Sequence, residues 1–262
     1  MTCIAKTSTT PGAAAGMTPS RYLRGLLVFG LIGANLLVFA LVGYSLYQSR
    51  QQYELRAQAL TQNIARALDQ SVSNSIEKID LALRSVADEL EQQLAARGRI
   101  DEEVTLAFLA KQEQRLPDVE AFRVANADGL VILSKGLTRQ ERPSWADRDY
   151  FLYLRSHQDG GLRISKPLMG RVAKRYLIPF ARRYNYPDGR FAGVVTAPIA
   201  LDHVSQLLAR FDLGPKGTVI LRDADLGLIA RHPPLSGQTA GEIGNNGVSE
   251  QFRQVVASGL RS

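Results

Sequence analysis

FRVANADGLVILSKG, residues 122–136, carries two apolar runs separated by Ala127-Asp128-Gly129. β-Branched and aliphatic residues on either side of an acidic, glycine-containing break predict a β-hairpin. The pattern returns almost a hundred residues later as KGTVILRDADLGLIARHP, residues 216–233: strand, acidic turn with Gly227, strand. A strand-turn-strand unit that recurs in this way predicts two similar modules in one chain.

Working outward, the segments flanking the first hairpin change class. Upstream, Leu60, Ile64, Leu68, Val72, Ile76, Ile79, Leu83, Val86, Leu90 and Leu94 recur at spacings dominated by three and four, with no Pro or Gly between them. That period predicts one long amphipathic helix over about residues 49–96. Its apolar seam suits its own domain, a second copy of itself, or each in a different stretch. A shorter helix is expected at Glu102–Gln114. Downstream, Trp145–His157 reads as a helix, and Leu162–Leu168, Tyr176–Arg183 and Phe191–Leu201 read as strands, with a turn at Asn185-Tyr186-Pro187-Asp188-Gly189. Helices are expected at Asp202–Phe211 and Ser249–Ala257. The order predicts an α+β fold, with one antiparallel sheet against the long helix and a second, incomplete module that the sequence enters but does not finish.

Gly25 to Leu46 reads GLLVFGLIGANLLVFALVGYSL, without a charge and with Asn35 as its one strongly polar side chain. Its length suits a helix crossing a bilayer. A cleavable signal peptide would be shorter and end in a small-x-small site, whereas Tyr44, Tyr47, Gln48 and Arg50 follow here. Residues 1–47 hold Lys6, Arg21 and Arg24 and no acid, which places the N-terminus in the cytoplasm and exports the rest. The expected organisation is a disordered tail at 1–24, a transmembrane helix at 25–47, a stalk helix at 48–97, a membrane-distal module at 98–212 and the start of a membrane-proximal module at 213–262.

Composition narrows the function. The formal net charge is +7, and three of those charges lie at or before the apolar run, so the remainder is only mildly basic. Nucleic acid is not an expected partner. Cys3 is the single cysteine, which excludes an intrachain disulfide and a cysteine-rich metal centre. The sequence lacks a nucleophile elbow, a dinucleotide or phosphate-binding glycine loop and a His-Glu-x-x-His pair, so no enzyme, metal or cofactor is expected. Asp223 and Asp225 fall in the second hairpin turn, where Asp serves the local backbone. The basic character concentrates in one place: residues 142–190 carry eleven Lys or Arg against four Asp. Guanidinium groups beside aromatic rings suit a carboxylate or phosphate.

Several segments together resemble the double Cache family, the extracytoplasmic sensor domain of bacterial histidine kinases, diguanylate cyclases and chemoreceptors. They are the long helix, DRDYF (147–151), GLRISKP (161–167), YLIPFARR (176–183), PDGRFAGVV (187–195) and ALDHV (200–204). The resemblance spans about residues 48–262 and implies two PAS-like modules, the distal one holding a small molecule. Amino-acid-binding members carry an Arg-x-Trp-Tyr motif, a later tyrosine and an aspartate that meets the ligand amine. Arg148-Asp149-Tyr150-Phe151 is similar to the first, but Leu168 and Pro198 stand at the other two positions. The resemblance therefore implies a small anionic ligand, without an acidic partner for an ammonium, with Arg148, Tyr150, Phe151 and Lys166 as candidate binding residues. The seam of the long helix and the apolar run together lead to an expected homodimer through the long helix at the bacterial inner membrane. A tethered interaction module without signalling output is the alternative reading.

Overall fold

The computed structural model describes residues 19–137, 142–211, 214, 217–235 and 242–258. The chain divides into two units, Met1–Asn63 and Ile64–Ser262. Residues 1–18 of the expected tail lie outside the described residues, and 19–24, expected to be disordered, are helical.

Helix α1, Pro19–Arg97, begins in the first unit and ends in the second. In the first unit it contains the uncharged run, with a mean hydropathy of 2.5 over its most apolar window and none of that window buried. Asn35 Nδ2 donates to Leu31 O at 2.9 Å, so the one strongly polar side chain is satisfied by its own helix. A helix this long and apolar fits a membrane anchor.

In the second unit the α1 seam turns inward. Ile79, Leu83, Val86, Leu90 and Leu94 are buried, and they pack against Phe122, Val124 and Val195. The helix stops at Gly98, and α2 (Glu102–Arg115) starts from an Asp101 cap whose carboxylate accepts from Val104 N. Gln93 Oε1 accepts from both Asp101 N (2.8 Å) and Thr105 Oγ1 (3.2 Å), which fixes the turn between the helices.

The hairpin at 122–136 forms as strands β1 (Arg123–Asn126) and β2 (Val131–Ser134). Asn126 Oδ1 accepts from Asp128 N and Leu130 N, and Gly129 takes φ +82° where a Cβ would stand 2.6 Å from Ala146 N. Helix α3 spans Asp149–Ser156, later than the sequence predicts, because Trp145–Asp147 are used in a turn.

The three strand candidates each divide in two. They give β3 (Arg163–Ile164) and β4 (Leu168–Met169), β5 (Tyr176–Ile178) and β6 (Phe180–Asn185), and β7 (Phe191–Thr196) and β8 (Ile199–Ala200). Each break falls at a proline, Pro167, Pro179 or Pro198, which cannot donate to a ladder. The halves join different sheets: five strands in the order β2-β1-β7-β6-β3, and three in the order β4-β5-β8. The expected single sheet is thus two antiparallel sheets.

Helix α4 (Leu201–Ala209) follows, then the second hairpin, β9 (Val219–Arg222) with β10 (Leu228–His232), and helix α5 (Glu250–Ala257). Asp223 Oδ1 accepts from Asp225 N and Gly227 N, the part Asn126 plays in the first turn.

Candidate functional site

Arg148 is the residue preceding α3, in extended conformation. Its guanidinium reaches from the helix N-terminus to the end of β4, where Nη2 donates to Met169 O at 3.0 Å. Two residues on, Tyr150 is 3% exposed, and its ring meets Trp145 edge to face at 6.0 Å. Burial pushes the Tyr150 phenol well above its ordinary value, against the opposing charge of Arg148, so it is a neutral hydroxyl at physiological pH. No hydrogen bond reaches that hydroxyl among the described residues.

Arg148 and Tyr150 line one cavity of about 30 Å³ together with Arg123, Arg171, Leu168 and Pro198. Arg123 comes from β1 and is 3% exposed; it pairs with Glu120. Its Nε and that of Arg148 are buried without an acceptor among the described residues. Arg171 reaches Asp147 through two hydrogen bonds of 2.7 and 2.6 Å and also donates to Ser144 O. Those bonds are the main reason the Asp147 carboxyl is lowered to about 2, and desolvation opposes them. The lining holds three arginines and no acid. A cavity of this volume takes about one water, and Gly170 to Ala173 form part of its wall.

The other two sequence candidates lie elsewhere. Phe151 is a fully buried residue of α3, its ring centroid 5.5 Å from that of Phe191, and it is not among the residues that line the cavity. Adjacent helical positions point about 100° apart, so Tyr150 and Phe151 do not share a wall. Lys166 is an exposed side chain paired with Asp225 of the second hairpin, and it does not line the cavity. Its neighbour Ser165 holds Asp149, donating to both carboxylate oxygens at 2.8 and 3.0 Å. Sequence reasoning missed Arg123 because it sits inside an apolar strand, where a single buried arginine leaves no periodic signal. The excess of arginine over acid in 142–190 did contain Arg171.

Solved structures share this architecture. The extracellular domain assigned to a histidine kinase, rpHK1S-Z16, superposes with a TM-score of 0.64 at 23% identity, over 75% of this chain and 77% of that one. The fold is that of a Cache-type sensor domain. Two further sensor domains of this fold are chemoreceptor ligand-binding domains. That of Campylobacter jejuni Tlp3, in complex with L-norvaline, gives a TM-score of 0.51 at 15% identity over 81% of this chain and 79% of its own. That of Pseudomonas fluorescens CtaA, in complex with L-valine, gives 0.50 at 17% identity over 71% and 75%. No family model matches the chain, and no curated protein matches it.

Proposed function

We propose that this chain is the extracytoplasmic sensory input region of a membrane receptor, and that its Arg148 cavity takes a small carboxylate lacking an ammonium group. The observation that carries the ligand class is the lining: three guanidinium groups, two with buried Nε donors awaiting an acceptor, a neutral Tyr150 hydroxyl, and no acid. A carboxylate satisfies such donors at short range, whereas an ammonium would meet like charge. Leu168 and Pro198 supply apolar surface instead. The ligand enters as Arg148 releases the Met169 carbonyl and the Met169–Arg171 segment moves outward.

The same geometry supports a relay. The cavity includes Thr196 at the end of β7, which pairs with β6. Strand β6 is fastened to α1 at two heights: Arg182 grips Asp80 through two hydrogen bonds, and Glu91 accepts from Asn185 N at 2.7 Å. A shift of the sheet therefore reaches α1 through charged bonds as well as apolar packing. In this reading the apolar part of α1 crosses the inner membrane from a cytoplasmic N-terminus, and a second copy of the chain packs alongside the helix.

Calorimetric titration of the full chain in lipid nanodiscs with propionate, succinate and L-valine tests the proposal. A simple carboxylate is expected to bind more tightly than valine. Arg148→Ala should weaken it about 10- to 100-fold, the worth of a charge-assisted hydrogen bond. Unchanged affinity in Arg148→Ala, or preference for the amino acid, overturns the assignment.

A further inference from the structure

A second cavity, of about 310 Å³, lies within the Ile64–Ser262 unit, away from Arg148. Four elements wall it: α1 through Val72 and Ile76, the β5–β6 segment through Ile178, α4 through Leu207, and the second hairpin through Leu221 and Ile229. Its volume is about ten times that of the Arg148 cavity and falls within the usual range for small-molecule sites. Three of its lining groups can carry charge. Asp118 is occupied by His203, whose Nε2 lies 2.7 Å from Asp118 Oδ1. Arg210, just past the end of α4, forms no ion pair or side-chain hydrogen bond among the described residues.

An apolar chamber walled by four elements, with a guanidinium at its rim that pairs with no described residue while Asp118 is bonded to His203, is complementary to an amphipathic anion. We infer that this cavity binds a medium-chain alkyl carboxylate, with the chain between α1 and the hairpin and the carboxylate on Arg210. Occupancy would hold α4 and the hairpin against α1, so the site acts on the same helix as the Arg148 cavity without sharing a residue with it. The inference does not depend on the ligand assigned to Arg148.

The test is methyl NMR of the full chain in nanodiscs, with isoleucine methyl groups labelled and decanoate as the probe. Ile76, Ile178, Ile199 and Ile229, four of the five isoleucines that line the cavity, report it; Ile32, in the apolar run, reports partition into lipid. The expected result is saturable shifts at the four lining residues, with affinity rising about fourfold per methylene from hexanoate to decanoate. Val204→Trp, which fills the cavity from α4, should abolish the shifts. Arg210→Gln, a change at an exposed position that leaves the walls intact, should weaken decanoate about tenfold and leave decan-1-ol unaffected. Shifts that never saturate, shifts preserved in Val204→Trp, or equal affinity of the unaltered protein for decanol and decanoate would overturn the inference.

Discussion

Replacing Asp80 and Arg182 with alanine, singly and together, measures how firmly the sheet is tied to α1. Both side chains are largely buried, 17% and 16% exposed. Unit charges about 4 Å apart interact by about 4 kcal/mol at an effective dielectric of 20. Desolvation of both groups and residual contact with water reduce the net coupling to about 2 kcal/mol. The single substitutions should differ. Arg182→Ala leaves Asp80 with Arg84 at 3.0 Å and should cost about 2 kcal/mol, whereas Asp80→Ala strands a buried guanidinium and should cost about 3 kcal/mol. The double variant should then be no worse than Asp80→Ala alone. Urea unfolding of the nanodisc-embedded chain, followed by fluorescence of the single tryptophan, buried Trp145, reads the sheet module directly. The pH dependence supplies an independent check. Burial raises the Asp80 carboxyl, but the bonds and charges of Arg182 and Arg84 together outweigh it, so its pKa is lowered. A group depressed in the folded state stabilises above its unfolded value, about 3.9. The coupling should therefore be constant from pH 7 to about 5 and vanish as the pH falls through the lowered value. A coupling below about 0.5 kcal/mol, or one that does not weaken at all on acidification below about pH 4, would refute the view that this pair links sheet and helix.

Three further substitutions probe other parts of the argument. Gly193→Ala should prevent folding of the five-stranded sheet, at a cost of about 4 kcal/mol or more, because its Cβ would stand 2.0 Å from Ala125 O; circular dichroism and yield of folded protein report it. Leu90→Ala empties a fully buried position facing the sheet and should destabilise by about 2–5 kcal/mol in the same urea assay. Lys166→Ala removes an exposed ion pair and should leave stability within about 0.5 kcal/mol and carboxylate affinity within about twofold by titration; a large loss of affinity would return Lys166 to the binding site.

Much of the fold was legible because it rests on local, periodic signals. The three-and-four spacing from Ile79 to Leu94 is the buried seam of α1, and the acidic breaks at Asn126–Leu130 and Asp223–Gly227 are turns held by their own side chains. The uncharged run Gly25 to Leu46 is helical and unburied, as its composition dictates. The prolines at 167, 179 and 198 were visible too, yet reading each surrounding segment as one strand hid their effect. Where a proline interrupts a ladder, the chain changes sheet, and which sheet accepts it depends on partners far away in sequence.

The site shows the same division. Sequence alone determined that arginine and aromatic residues gather near 142–190, because charge excess and motif are properties of consecutive residues. It could not determine that Arg123, twenty-five residues before Arg148, shares a cavity with it while Phe151 and Lys166 do not. Only the tertiary structure decided that, since the register of β1 against β7 and the packing of α3 set which side chains meet, through contacts that have no period along the chain.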